Sequence, residues 1–159
     1  MNWYKKAQDD DFDEEENDNN SVNPHGSFAG KIFFHGTSKE GAEVIRSSGI
    51  DNEKSTKGYF GRGFYMAEEF GLAKSNYADF FEGKDEGVVL GFAIKSEAKI
   101  LDLRIEEDFL IYNRISKAGN IIGRDDFDQI MVANDIDGLY DRSFGGIVIY
   151  NPNAVYLVH

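Results

Sequence analysis

Two short blocks carry residues whose types and spacing suit the grip of a flat, polar ligand. Phe34-His35-Gly36-Thr37 sets a histidine and a glycine at the end of an apolar run. About thirty residues later, Gly58-Tyr59-Phe60-Gly61-Arg62-Gly63-Phe64-Tyr65-Met66-Ala67 makes a glycine-rich turn and delivers Tyr65. Glycine permits positive φ and close approach of the backbone. Two glycine-softened edges, each bearing one polar aromatic, would form a clamp. Singly each block has a plainer reading: a histidine at a strand end is more often a structural polar group. Glycines 58, 61 and 63 do not match the dinucleotide pattern G-x-G-x-x-G and suit a tight loop.

Other chemistries find no support. The chain has no cysteine, and its three histidines match none of the usual zinc spacings. His25 lies in the N-terminal segment and His159 ends the chain, so neither is a natural partner for His35. Neither a Walker A pattern nor a G-x-S-x-G elbow occurs. The net charge is −12; residues 1–27 hold eight acids against Lys5 and Lys6, leaving −6 for residues 28–159. Neither part offers the basic footprint of a general nucleic-acid binder. No apolar run approaches the roughly 18 residues that span a bilayer, and no signal-peptide core opens the chain. A cytoplasmic, monomeric protein without membrane contact is the expectation.

The elements that must position the two blocks follow from pattern. Residues 1–27 are polar and acidic and bury too little to offset their ordering entropy, so they read as a disordered tail before a single domain over residues 28–159. Lys31 to Phe34 reads as a strand. Thr37-Ser38-Lys39-Glu40 reads as a capping box opening a short helix that ends at Gly49. Glu68 to Phe81 has apolar residues at helical spacing. Gly87 to Ile94 and Ala98 to Leu103 read as a strand pair. Two short helices are expected over 105–118 and 125–134, and Asp137-Gly138 reads as a turn. Ile147 to Tyr150 and Ala154 to Val158 read as the last strands, with a turn at Asn151-Pro152-Asn153. Helices fall between strands without strict alternation, which argues α+β, largely antiparallel.

In this order and spacing the blocks resemble the catalytic domain of the ADP-ribosyltransferases of the poly(ADP-ribose) polymerase and diphtheria-toxin class, over roughly residues 30–159. The run Gly87-Val88-Val89-Leu90-Gly91 is similar to that family's central strand, and Ile147 to Val155 to its closing strand and turn. The resemblance implies split, largely antiparallel sheets and NAD⁺ as substrate, with no metal. It assigns His35 to the adenosine ribose and the backbone of Gly36 to the nicotinamide carboxamide, which needs one donor and one acceptor. Tyr65 would line the nicotinamide and its ribose, and Tyr77 would stack on the ring. Thr37, Tyr59, Ala67 and Ser75 complete the expected cofactor contacts.

Two positions depart from the family pattern. A serine is usual three residues before the stacking tyrosine, where this chain has Lys74, with Ser75 one place away. A glutamate is usual just before the closing strand, where it bonds the nicotinamide ribose and offsets developing positive charge; here the position is Gly146. Three readings stay open. The chain transfers single ADP-ribose units without that acid; or it only binds NAD⁺ or ADP-ribose; or another acid, Asp137 or Asp141, serves. Polymer formation is disfavoured. A mono-ADP-ribosyltransferase acting on a protein acceptor is the leading expectation, with His35, Tyr65 and Asp141 as its catalytic set. An RNA-end-processing relative ranks low, since Arg62 is the one basic residue in the glycine loop. A purely structural or interaction domain becomes the better reading if His35 and Tyr65 lie on opposite faces.

Overall fold

The computed structural model describes residues 28–54, 57–74, 87–119 and 124–159. The expected acidic tail therefore lies outside the described residues, as do Ser75 and Tyr77. Strand β1 (Ile32–Ser38) runs on past the apolar run, so His35, Gly36 and Thr37 sit within it. Its whole length is held by an antiparallel ladder to a later strand. Holding Thr37 in that ladder moves the helix cap by one residue. Helix α1 (Lys39–Ser48) is capped by Ser38, whose Oγ accepts from the Gly41 amide at 3.0 Å. It ends, as the glycine signal predicts, at Gly49, which adopts φ 83° and donates to the Ile45 carbonyl.

A ribbon of β2 (Lys57–Gly58) and β3 (Gly61–Arg62) leads into β4 (Phe64–Ala67), followed by the short α2 (Phe70–Ala73). Then come β5 (Gly87–Ile94), β6 (Ile100–Asp102), α3 (Glu106–Gly119), α4 (Phe127–Ala133), β7 (Gly138–Asp141), β8 (Gly146–Ile149) and β9 (Val155–Leu157). The chain is α+β. Seven strands form one sheet in the order β6-β7-β8-β4-β1-β5-β9, antiparallel except for β6 against β7.

Three local expectations fail for stated reasons. β5 and β6 do not pair, because both edges of β5 are taken, by β1 and β9. Asp137-Gly138 is no turn: Gly138 opens β7, a strand too short for its period to show in sequence. The Asn151 turn forms, with its side chain accepting from the Asn153 amide, yet it carries β9 to the far edge of the sheet and away from β8.

Strand alternation divides the core between two faces. On the first, Phe33, Phe64, Met66, Leu90 and Ile147 pack together with Ala42 and Ile45 of α1. On the second, Leu101, Leu139 and Val148 pack under Ile111 and Ile115 of α3 and Phe127 and Met131 of α4. None of the described helices is long and apolar enough to cross a membrane.

Candidate functional site

The candidate site is a seam in the middle of the sheet. Strand β4 joins β8 through four successive pairs, Phe64↔Ile149 to Ala67↔Gly146. It joins β1 through one, Phe34↔Ala67. Past that pair, His35 bridges the strands: its Nδ1 lies 2.9 Å from the Tyr65 carbonyl oxygen. A carbonyl only accepts, so Nδ1 carries the proton and Nε2 is left as an acceptor. Burial pushes the imidazole below its usual pKa, against the raising effect of that hydrogen bond, so the ring is neutral near pH 7. Phe64 stacks against it with centroids 4.2 Å apart.

The seam also sets what Gly36 offers. Gly91 of β5 turns its amide and carbonyl outward, to His159 at 2.7 Å and from Val158 at 2.8 Å. Antiparallel alternation then points the backbone groups of Leu90 and Phe92 toward β1, where they face His35 and Phe33. The amide and carbonyl of Gly36 consequently point the other way, toward β4, beyond the end of that ladder. One donor and one acceptor thus lie side by side along the seam, at a residue that is itself buried.

Tyr65 has a different part from the one its position suggests. Its hydroxyl donates to the Gly61 carbonyl at 2.6 Å and accepts from the Phe60 amide at 2.9 Å. Gly58 leaves room for the ring, since a Cβ there would lie 2.6 Å from Tyr65 Cζ. Tyr65 is therefore the post on which the glycine loop stands. Its side chain leaves the sheet on the second face, whereas His35 stacks on Phe64 of the first. The two meet through the Tyr65 backbone, not as facing jaws.

The remaining expected residues separate further. Thr37 lies against the first turn of α1, its Oγ1 occupying the space a Gly41 side chain would need. Ala67 is buried between Phe34 and Gly146. Tyr59, at 86% exposure, stands edge-on to Phe60 at the loop tip.

Gly146 has no room for an acid. A Cβ there would collide with the Met66 carbonyl oxygen, which is backbone and cannot swing away. Asp137 is committed to the fold, accepting from the Lys99 amide at 2.9 Å and the Asn151 side chain at 3.0 Å. Asp141 stands beside Gly146 on the neighbouring strand. Its carboxylate is held by the Ser143 amide and hydroxyl, at 3.2 and 2.7 Å. Two strand spacings, about 10 Å, separate it from β4.

Sequence reasoning missed two side chains. Phe64, the platform for His35, has the signal of alternating with Tyr65. Tyr112 of α3 has no local signal at all; it packs against the second core and meets Phe60 edge-on at 5.9 Å. Burial first, then Tyr59 and Asp141 nearby, push its hydroxyl above the usual phenol pKa. Among the described residues no group of three His, Asp or Glu side chains is placed to hold a metal ion. Neither a protein-family model nor a curated protein matches the chain.

Proposed function

We propose that the chain is an NAD⁺-dependent mono-ADP-ribosyltransferase with the fold of that superfamily. The observation that carries this reading is the parting of β1 from β4 at Gly36. An amide and a carbonyl lie there as a matched pair for a carboxamide. His35 is fixed beside them by the Tyr65 carbonyl, with Nε2 able to accept from a ribose hydroxyl. Tyr65 leaves the sheet on the face opposite His35, the arrangement that favours an interaction domain, so the transferase reading rests on the backbone at the seam and on His35 rather than on two facing side chains. Asp141, paired with Gly146 across β7 and β8, is the acid this reading assigns to the departing nicotinamide, and the acceptor nucleophile forms the new bond at C1′.

The alternative is a recognition module that binds NAD⁺ or ADP-ribose, or a partner, without turnover. Two observations favour it: the closed environment of Gly146, and the side chains of His35 and Tyr65 leaving on opposite faces. Labelled NAD⁺ with a cell lysate decides. Transferase activity requires nicotinamide release and label transfer that His35→Ala abolishes. Saturable NAD⁺ binding by calorimetry with no turnover over hours selects the module. An absence of binding at millimolar NAD⁺ removes the transferase and the NAD⁺-binding module together and leaves a domain that binds only a partner.

A further inference from the structure

The two outer edges of the sheet are finished differently. At one, charge guards β6: Arg104 clamps Asp102 at 2.9 and 2.7 Å, and Lys99, just before the strand, pairs with Asp135 at 3.0 Å. At the other lies β9, and among the described residues no strand lies outside it. Residues 154–158, Ala-Val-Tyr-Leu-Val, hold no charge and no proline. Those are the devices that normally keep an edge strand from pairing with another chain. Tyr156, Leu157 and Val158 are 50%, 38% and 37% exposed.

The ladder to β5 fixes what this edge offers. The Lys95 amide donates to the Ala154 carbonyl at 2.9 Å, and the Val158 amide to the Gly91 carbonyl at 2.8 Å. Ala93 faces Tyr156 between them. Alternation turns the backbone of 154, 156 and 158 inward, so Val155 and Leu157 present their amides and carbonyls to the free side. The same alternation puts Tyr156 on the second face, in a row with Ala93 and Ile32.

This pattern is its own complement. A two-fold axis at Tyr156 sets Val155 against Leu157 of an antiparallel copy, and Leu157 against its Val155. Every outward group of β9 then pairs, in four hydrogen bonds, and the two Tyr156 rings meet across the axis. Charge favours the same occupant. The chain carries −12, which holds copies apart wherever their charged surfaces meet. On β9 two copies bring no charge together, and a basic partner finds none there to bind.

We propose that β9 is a self-association edge, through which two copies of this chain join antiparallel about Tyr156 into one continuous sheet. The inference replaces the expected monomer and is independent of what binds at the seam. So short a strand pair falls below the roughly 1,200 Å² of a standard interface, so the dimer is weak and forms at about 100 µM chain. Salt strengthens it by screening the net charge.

Because the chain has no cysteine, Tyr156→Cys introduces a single thiol. In the proposed register the two copies of position 156 form a non-hydrogen-bonded pair, close enough for a disulfide. Under mild oxidation this variant cross-links at least about tenfold faster than Ser47→Cys, an exposed position on α1, where diffusive encounter sets the rate. Leu157→Pro, which removes an outward amide that β5 does not use, brings the rate down to that of Ser47→Cys. Sedimentation of the wild-type chain shows a dimer fraction that rises with concentration and between about 50 and 500 mM salt. Circular dichroism verifies that the variants fold. Should Leu157→Pro unfold, Tyr156→Lys and Tyr156→Glu serve instead: each is monomeric alone, and their mixture dimerises. Equal cross-linking at positions 156 and 47, or a wild-type chain still monomeric at about 500 µM in high salt, overturns the proposal.

Discussion

The two edges of β4 contrast sharply. Toward β8 the ladder is complete, and the backbones lie so close that position 146 admits no side chain. Toward β1 a single pair forms, and a side chain, His35, takes the bonding place that a main-chain group would have filled. A strand has the same backbone on both sides, so the difference comes from the neighbours. Gly146 lets β8 close in. At the other edge the imidazole claims the Tyr65 carbonyl, and the buried Gly36 lies beyond the last pair of β1 with β4. The closed edge holds the fold together, and the other edge is where the proposed ligand would sit.

The strongest challenge to the closed edge is Gly146→Glu. If the seat is as tight as the geometry requires, β4 and β8 must separate, which costs about 3 kcal/mol or more. Thermal melting should show a large fall in midpoint, with no gain in nicotinamide release. A variant that melts like wild type and turns over faster would break the contrast.

At the β1 edge, His35→Ala removes a hydrogen bond and an aromatic stack, about 1–2 kcal/mol of stability by urea unfolding. The variant should stay folded while calorimetry shows NAD⁺ affinity lowered roughly tenfold, the worth of one lost polar contact. Unchanged affinity would mean that the seam is not the site.

Tyr65→Phe sharpens the assignment of the loop. It leaves the Phe60 amide and Gly61 carbonyl without the hydroxyl, a loss of about 1 kcal/mol. Faster proteolysis between residues 58 and 63 should accompany it. If cleavage is unchanged, Tyr65 does not support the loop.

The smallest effect concerns the helix behind the closed edge. Asp108 is buried at the start of α3, accepting from the Asp102 amide at 2.9 Å. Burial raises its pKa to about 7, aided by the charges of Asp102 and Glu107. A carboxyl with a raised folded pKa keeps more protons when folded, so its contribution to stability falls as pH rises from about 4 to about 7. His35 works in the opposite sense: with its folded pKa depressed, stability is lost as pH drops below 6.5. Asp108→Asn should flatten the first trend and raise the urea midpoint at pH 8 relative to pH 5. An unaltered profile would exclude Asp108 as its source.

Much of this was legible in the chain itself. Gly49 ended α1 because a helix C-terminus needs a residue at positive φ, which glycine adopts without strain. The apolar run from Gly87 to Ile94 became β5 over that span because fully buried strands read as continuous runs. The cap moved from Thr37 to Ser38, and β7 went unseen, because ladder partners far along the chain outweigh local preference.

The candidate site divides in the same way. Residue order alone brought out His35, Gly36 and the glycine loop, since these depend on local backbone freedom. Only tertiary structure decided that Tyr65 supports the loop, that Gly146 is sterically closed, and that Tyr112 meets Phe60. Each of those facts is a contact between residues distant in sequence, set by which strands share an edge and which face each side chain leaves. Spacing along a chain carries the period of an element but not the identity of its neighbour.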